Sequence, residues 1–176
     1  MVTKLIIAAF ASIVVAFVMA AAESSQSRLS RHRAAELVEE GRRGASALAI
    51  IVADSSAYLS AAAFVRVLAE SAAAVLITLA VVNSGRDFWP SLLISIGSMV
   101  VVYFVMVGVS PRTLGRQHAD RVSLLTAPIL VLVRRVLGPV ARLLVTLGNA
   151  VTPGRGFRDG PFDSEAELRD LVDMAE

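Results

Sequence analysis

Leu5-Ile6-Ile7-Ala8-Ala9-Phe10-Ala11-Ser12-Ile13-Val14-Val15-Ala16-Phe17-Val18-Met19-Ala20-Ala21-Ala22 is an uncharged, apolar run near the start of the chain. At about 18 residues it lies close to the lower end of what crosses a hydrocarbon core at 1.5 Å per residue. A cleavable signal peptide is the competing reading, because Lys4 gives a basic start and Ala20-Ala21-Ala22 resembles a small-residue cleavage site. The run exceeds the usual apolar core of such peptides, however. Arg28, Arg31 and Arg33 follow it as a stop-transfer flank would, so residues 2–22 are read as a retained membrane span.

The rest of the composition agrees with a lipid environment. Hydrophobic residues make up 56% of the 176 and charged residues 18%, too apolar for a soluble domain of this length to hide in one core. Mean hydropathy is +0.69. There is no cysteine, which excludes disulfides and thiolate metal sites. The net charge of +2 is small, and its distribution reports sidedness rather than affinity for nucleic acid.

Two further apolar stretches, 58–82 and 88–109, read as the second and third spans, joined by the short turn Asn83-Ser84-Gly85-Arg86-Asp87. Pro90 suits a first helical turn, and Phe88 with Trp89 suits an interfacial aromatic belt. Lys4 and Arg86 fall on one side. Arg28, Arg31, Arg33, Arg42, Arg43, Arg112, Arg116 and Arg121 fall on the other, which places the amino terminus outside and the carboxyl terminus in the cytoplasm of a cell carrying the protein in its plasma membrane.

The expected fold is therefore an all-α membrane protein with three transmembrane helices and cytoplasmic juxtamembrane helices over 30–53 and 122–151. In the first of these, Glu36, Glu39 and Glu40 alternate with Arg33 and Arg43 at helical spacing, as on a solvated face. The second is interrupted by Arg134, Arg135 and Arg142 and broken by Gly138-Pro139, which predicts two amphipathic helices in the inner headgroup layer. Thr152 to Pro161 is turn-rich. Ser164-Glu165-Ala166-Glu167 then forms a capping box ahead of an amphipathic helix that stops unfinished, as if leading to a further cytoplasmic domain.

Polar residues inside the spans mark the candidate site. Arg66 and Glu70 lie one helical turn apart in the second span, and each costs about 2.5–3.5 kcal/mol at a helix centre unless paired or turned to a bundle interior. Glu23, Ser24, Ser25 and Ser27 close the first span with hard oxygen donors of the kind magnesium prefers, although a polar helix end explains them equally. Ser91, Ser95 and Ser98 share one face of the third span, a pattern of close helix packing as well as of conduction paths. Gly108-Val109-Ser110-Pro111 ends that span in a predicted helix break, where freed carbonyls could coordinate a cation. No nucleophile and base pair, zinc spacing, phosphate loop or dinucleotide fingerprint is present, so no enzyme is expected.

Several of these stretches together resemble the transmembrane domain of the CNNM/CorC family, also labelled hemolysin-like, of magnesium transporters or efflux proteins. They are Ala22-Glu23 with Leu29-Ser30-Arg31-His32-Arg33, Asp54-Ser55-Ser56-Ala57-Tyr58-Leu59-Ser60, Ser110-Pro111-Arg112-Thr113-Leu114, and Ala119-Asp120-Arg121-Val122. The resemblance covers nearly the whole length, and the ending from Ser164 is similar to the acidic helix that leads into nucleotide-binding CBS domains. It implies a homodimer in lipid that transports a divalent cation, magnesium or cobalt, with nucleotide bound only through CBS domains beyond this sequence. It also implies a dehydrated magnesium ion held by serines at the positions of Ala20 and Ala22, an asparagine at that of Arg66, and a glycine-glutamate pair at those of Val107 and Gly108. These ligands are replaced here. The resemblance thus leaves two expectations: cation transport through a different site built from Glu23, Glu70 and the carbonyls near Gly108 with Arg66 as counter-charge, or a non-transporting scaffold that keeps the fold.

Overall fold

The computed structural model describes residues 1–85 and 87–151. The linker and acidic helix expected over 153–176 lie outside the described residues, as does Arg86. The first span is α1 (Val2–Gln26). Two short helices follow, α2 (Arg31–Glu39) and α3 (Ala45–Ala53), and then the long α4 (Ser55–Val82). The third span begins as α5 (Phe88–Tyr103), passes through a π-helical turn (Phe104–Val109) and continues as α6 (Ser110–Gln117). After a bend at His118 comes α7 (Ala119–Val151). Among the described residues there is no strand.

The scaffold is the crossing of α1 and α4, and it is made of alanine. Ala9, Ala16 and Ala20 recur at helical spacing on α1, and Ala62, Ala69 and Ala73 on α4, and all of them are buried. In lipid no hydrophobic drive pulls helices together, so close backbone approach at small residues supplies the contact. The opposite faces stay bare, with Ile6, Ile7 and Phe10 on α1, Val67, Leu68 and Val75 on α4, and Leu93, Ile96 and Val100 on α5 all exposed. Such surface is stable only against acyl chains or another protein.

A second core lies at the arginine-rich end, where Leu37 of α2, Leu48 and Ile51 of α3, Ala62 and Val65 of α4 and Leu124, Ala127 and Leu130 of α7 pack around Met19 and Ala22. Ser30 caps α2 by accepting the Arg33 N–H at 3.1 Å. The mostly helical stretch over 30–53 forms two helices, because Gly41 and Gly44 adopt φ of 66° and 87° and turn the chain between them. Gly44 also abuts the Leu124 carbonyl oxygen closely enough to exclude any Cβ. That carbonyl is the one which Pro128, four residues on and lacking an N–H, cannot satisfy.

Two expectations about prolines are corrected. Pro111 does not end the third span: the π turn takes up an extra residue ahead of it, and Pro111 then sits in the first turn of α6, where no N–H is required. Gly138-Pro139 does not divide 122–151 into two helices either. α7 runs on through both Pro128 and Pro139, which lie three turns apart on one exposed face, so the lost hydrogen bonds do not open the packed side.

α7 also changes the count of possible spans. Among the described residues four helical stretches are long and apolar enough to cross a membrane, namely Val2–Gln26, Ser55–Val82, Phe88–Gln117 and Ala119–Leu147, where three were expected. The fourth meets the length because its two halves join. The protein is thus an all-α, multi-pass membrane protein.

Candidate functional site

Where α1 leaves the alanine crossing, Glu23 faces α4 across a cavity of about 150 Å³. Arg66 reaches into it and binds both neighbouring carboxylates. Its Nε donates to Glu23 Oε1 and Oε2 at 3.1 and 3.2 Å, and its Nη1 donates to Glu70 Oε1 at 3.0 Å. The three side chains are 24%, 17% and 23% exposed, enough burial for the bonds to be charge-assisted and only partly screened. The Arg66–Glu70 bond is the one-turn pair that the spacing suggests. The bond to Glu23 links residues 43 apart and fixes the register of α1 on α4.

The opposite wall is the π turn. Val107 and Gly108 line the cavity, with Tyr103 before them and Arg112 after them. A π turn shifts the carbonyl register by one residue, and such turns occur frequently at functional sites. α6 is held over the cavity by two features of α1. Ser24 Oγ donates to the Arg112 carbonyl at 3.0 Å. Gly115 lies so close to α1 that a Cβ there would stand 2.8 Å from the Ala21 carbonyl oxygen.

The structure therefore gathers Glu23, Arg66, Glu70 and Gly108 around one cavity, together with Ala20 and Val107. It does not bring the other candidates there. Ser24 is engaged with α6, Ser27 Oγ donates to the Ser24 carbonyl at 3.0 Å, and neither Ser110 nor the buried Pro111 lines the wall. Ser91 and Ser95 are buried on α5, and Ser95 Oγ donates to the Ser91 carbonyl at 2.8 Å, as in helix packing. Tyr103 and Arg112 were missed from sequence. Tyr103 could have been found as the polar-tipped aromatic one helical turn before Val107, whereas Arg112 is hidden among the loop arginines. Among the described residues no cluster of three or more His, Cys, Asp or Glu could hold a metal, and the carboxylates lining this cavity are those of Glu23 and Glu70.

A partly buried ionic cluster between helices, beside an irregular turn of a multi-pass membrane protein, marks a candidate functional site. Residues 6–176 match the Cyclin M transmembrane N-terminal domain, and the chain belongs to that CNNM family. It is 45% identical over 157 residues to the UPF0053 protein Mb2387c of Mycobacterium bovis, and equally to the UPF0053 protein Rv2366c of Mycobacterium tuberculosis. The match takes in 89% of this chain and 36% of each relative, so the chain spans about a third of the length of the curated relatives it matches.

Proposed function

We propose that this domain moves a divalent cation, magnesium in the first instance, across the plasma membrane, with its arginine-rich face in the cytoplasm and two copies associating as a dimer. The observation that carries the reading is the Arg66 guanidinium bridging Glu23 and Glu70 across the cavity from the π turn. A positive charge is held where two carboxylates converge. Two carboxylates balance one divalent ion. With Arg66 and Arg112 also present, the same cavity would carry excess positive charge once the ion arrived. Arg66 must therefore swing away from Glu23 and Glu70 as the cation binds, acting at rest as a tethered substitute for it.

The second reading, a membrane scaffold without transport, is favoured by the same bond pattern, since both carboxylates are already engaged. Reconstitution separates the two. The full chain in liposomes containing a magnesium-sensitive dye should pass magnesium, or cobalt in its place, and Glu70→Gln should slow it; flux unchanged by that substitution removes Glu70 as a ligand. Absent flux in the unaltered chain, with a melting temperature flat across millimolar magnesium, selects the scaffold.

A further inference from the structure

The larger cavity, about 270 Å³, lies elsewhere, where α4 begins and α7 passes over it. Arg134 and Arg142 of α7, Ser56 and Ser60 of α4 and Asp54 just ahead of α4 line it. α4 starts without a side-chain cap, so the N–H groups of its first turn lack intrahelical acceptors, and Ser56 and Ala57 of that turn form part of the wall. Ser60, one turn further along α4, also lines the cavity, although its Oγ is itself covered, with less than 1 Å² accessible and no hydrogen-bond partner, as are Ser91 Oγ and Ser123 Oγ. Elsewhere in these helices Ser12, Thr78 and Ser95 each donate to the carbonyl four residues back, the usual recourse in an apolar setting.

The arginines are positioned without being saturated. Arg134 stacks over the Tyr58 ring at 5.8 Å, and its Nη2 stands 3.7 Å from Asp54 Oδ2, an attraction too long to be a hydrogen bond. Among the described residues no carboxylate forms an ion pair with Arg142. Two guanidiniums against one carboxylate that is 57% exposed leave the wall positive. Guanidiniums, hydroxyls and free helix N–H groups together make a donor set matched to an anion with several acceptor oxygens.

We propose that this cavity binds a phosphate group, with the headgroup of an anionic phospholipid as its occupant. The lipid source is favoured by α7 itself. Leu143, Leu144 and Leu147 are exposed beside Arg142 and continue a row with Leu132, Val136 and Val140, surface that rests in the acyl boundary with the arginines at headgroup level. A soluble phosphate or phosphorylated metabolite offers the same chemistry, and the test distinguishes the two.

The full chain is purified in neutral detergent and delipidated, and its melting temperature is followed against dihexanoyl phosphatidic acid, inorganic phosphate and zwitterionic dihexanoyl phosphatidylcholine. A saturable rise with phosphatidic acid that exceeds the rise with phosphate supports the lipid. A rise of equal size with inorganic phosphate supports the site and assigns it to a soluble ligand. In either case Arg142→Gln should weaken binding about tenfold, the loss of one charge-assisted contact, whereas Arg135→Gln on the same helix but off the cavity should not. Both arginines are exposed, so neither substitution threatens the fold. No rise with either anion, an equal rise with phosphatidylcholine, or an equal loss in Arg135→Gln would overturn the proposal.

Discussion

Replacing Arg66 by Met tests whether the ionic cluster is one unit. The guanidinium makes three hydrogen bonds to two carboxylates, and its removal leaves Glu23 and Glu70 lining the same cavity with only the exposed Arg112 as a nearby cation. Losing a charge-assisted partner costs each carboxylate about 1.5–3 kcal/mol, and residual exposure together with Arg112 lowers the sum to ~3 kcal/mol. In a domain of this size that corresponds to a melting temperature roughly 6–12 °C lower, read by nanoDSF in detergent. Adding Glu23→Gln and Glu70→Gln to Arg66→Met should recover more than half of the loss, since the unpaired charges are then gone. Magnesium at ten times its Kd should return about 1.4 kcal/mol to the Arg66→Met variant, because the carboxylates then have a cation to bind. An Arg66→Met variant as stable as the parent, or a triple variant no better than Arg66→Met alone, would refute the reasoning.

Three other outcomes follow from local geometry. Gly44→Ala should cost ~3 kcal/mol or more in the same melting assay, since a Cβ meets the Leu124 carbonyl at positive φ; Gly41→Ala, also at positive φ but in open space, should cost only ~1 kcal/mol. Gly115→Val should lower stability and, through displacement of α6 from α1, break the Ser24–Arg112 hydrogen bond, visible as faster hydrogen exchange over residues 110–117. On the exposed surface Arg33 donates to Glu36 at 2.7 Å and to Asp120 at 2.8 Å, and this bond holds the Glu36 carboxyl below its ordinary value of 4.5. A lowered folded-state value contributes stability that is present above the unfolded value and lost as pH falls through the folded one, so melting temperature should decline below about pH 4.5 and decline less in Arg33→Gln.

How much was legible beforehand depended on whether a feature is local. The spans starting at Leu5, Tyr58 and Phe88 could be read because unbroken apolar length has few other uses. Arg66 with Glu70 could be read because residues four apart share a helix face. The continuity of α7 could not. Gly138-Pro139 carries the local chemistry of a break, yet the helix runs on, with Pro139 on an exposed face and α7 packed on α3 and α4 along its length. The π turn was equally hidden, since a one-residue change of hydrogen-bond register leaves no residue type behind. Which wall Gly108 would line, and that Tyr103 and Arg112 would join it, depended on the approach of α6 to α1 at Gly115, a contact between segments far apart in the chain.

The placement of these parts separates the packing of the fold from the ionic cluster beside it. Ala16, Ala20, Ala69 and Val107 form a buried apolar cluster at the crossing of α1, α4 and the π turn, and none of them needs a charged neighbour to pack. Glu23, Arg66 and Glu70 sit at its edge, each partly exposed, where one donor or acceptor can be exchanged for another if the local charge stays balanced. A guanidinium held between helices demands carboxylates within reach, and Glu23 and Glu70 both lie within hydrogen-bond distance of Arg66. Substitutions at the alanine crossing should therefore disturb helix association and cation handling together. Under the proposed function, charge-balanced changes at the rim should alter cation handling with little loss of helix association, and that outcome would assign Arg66 to the ion site.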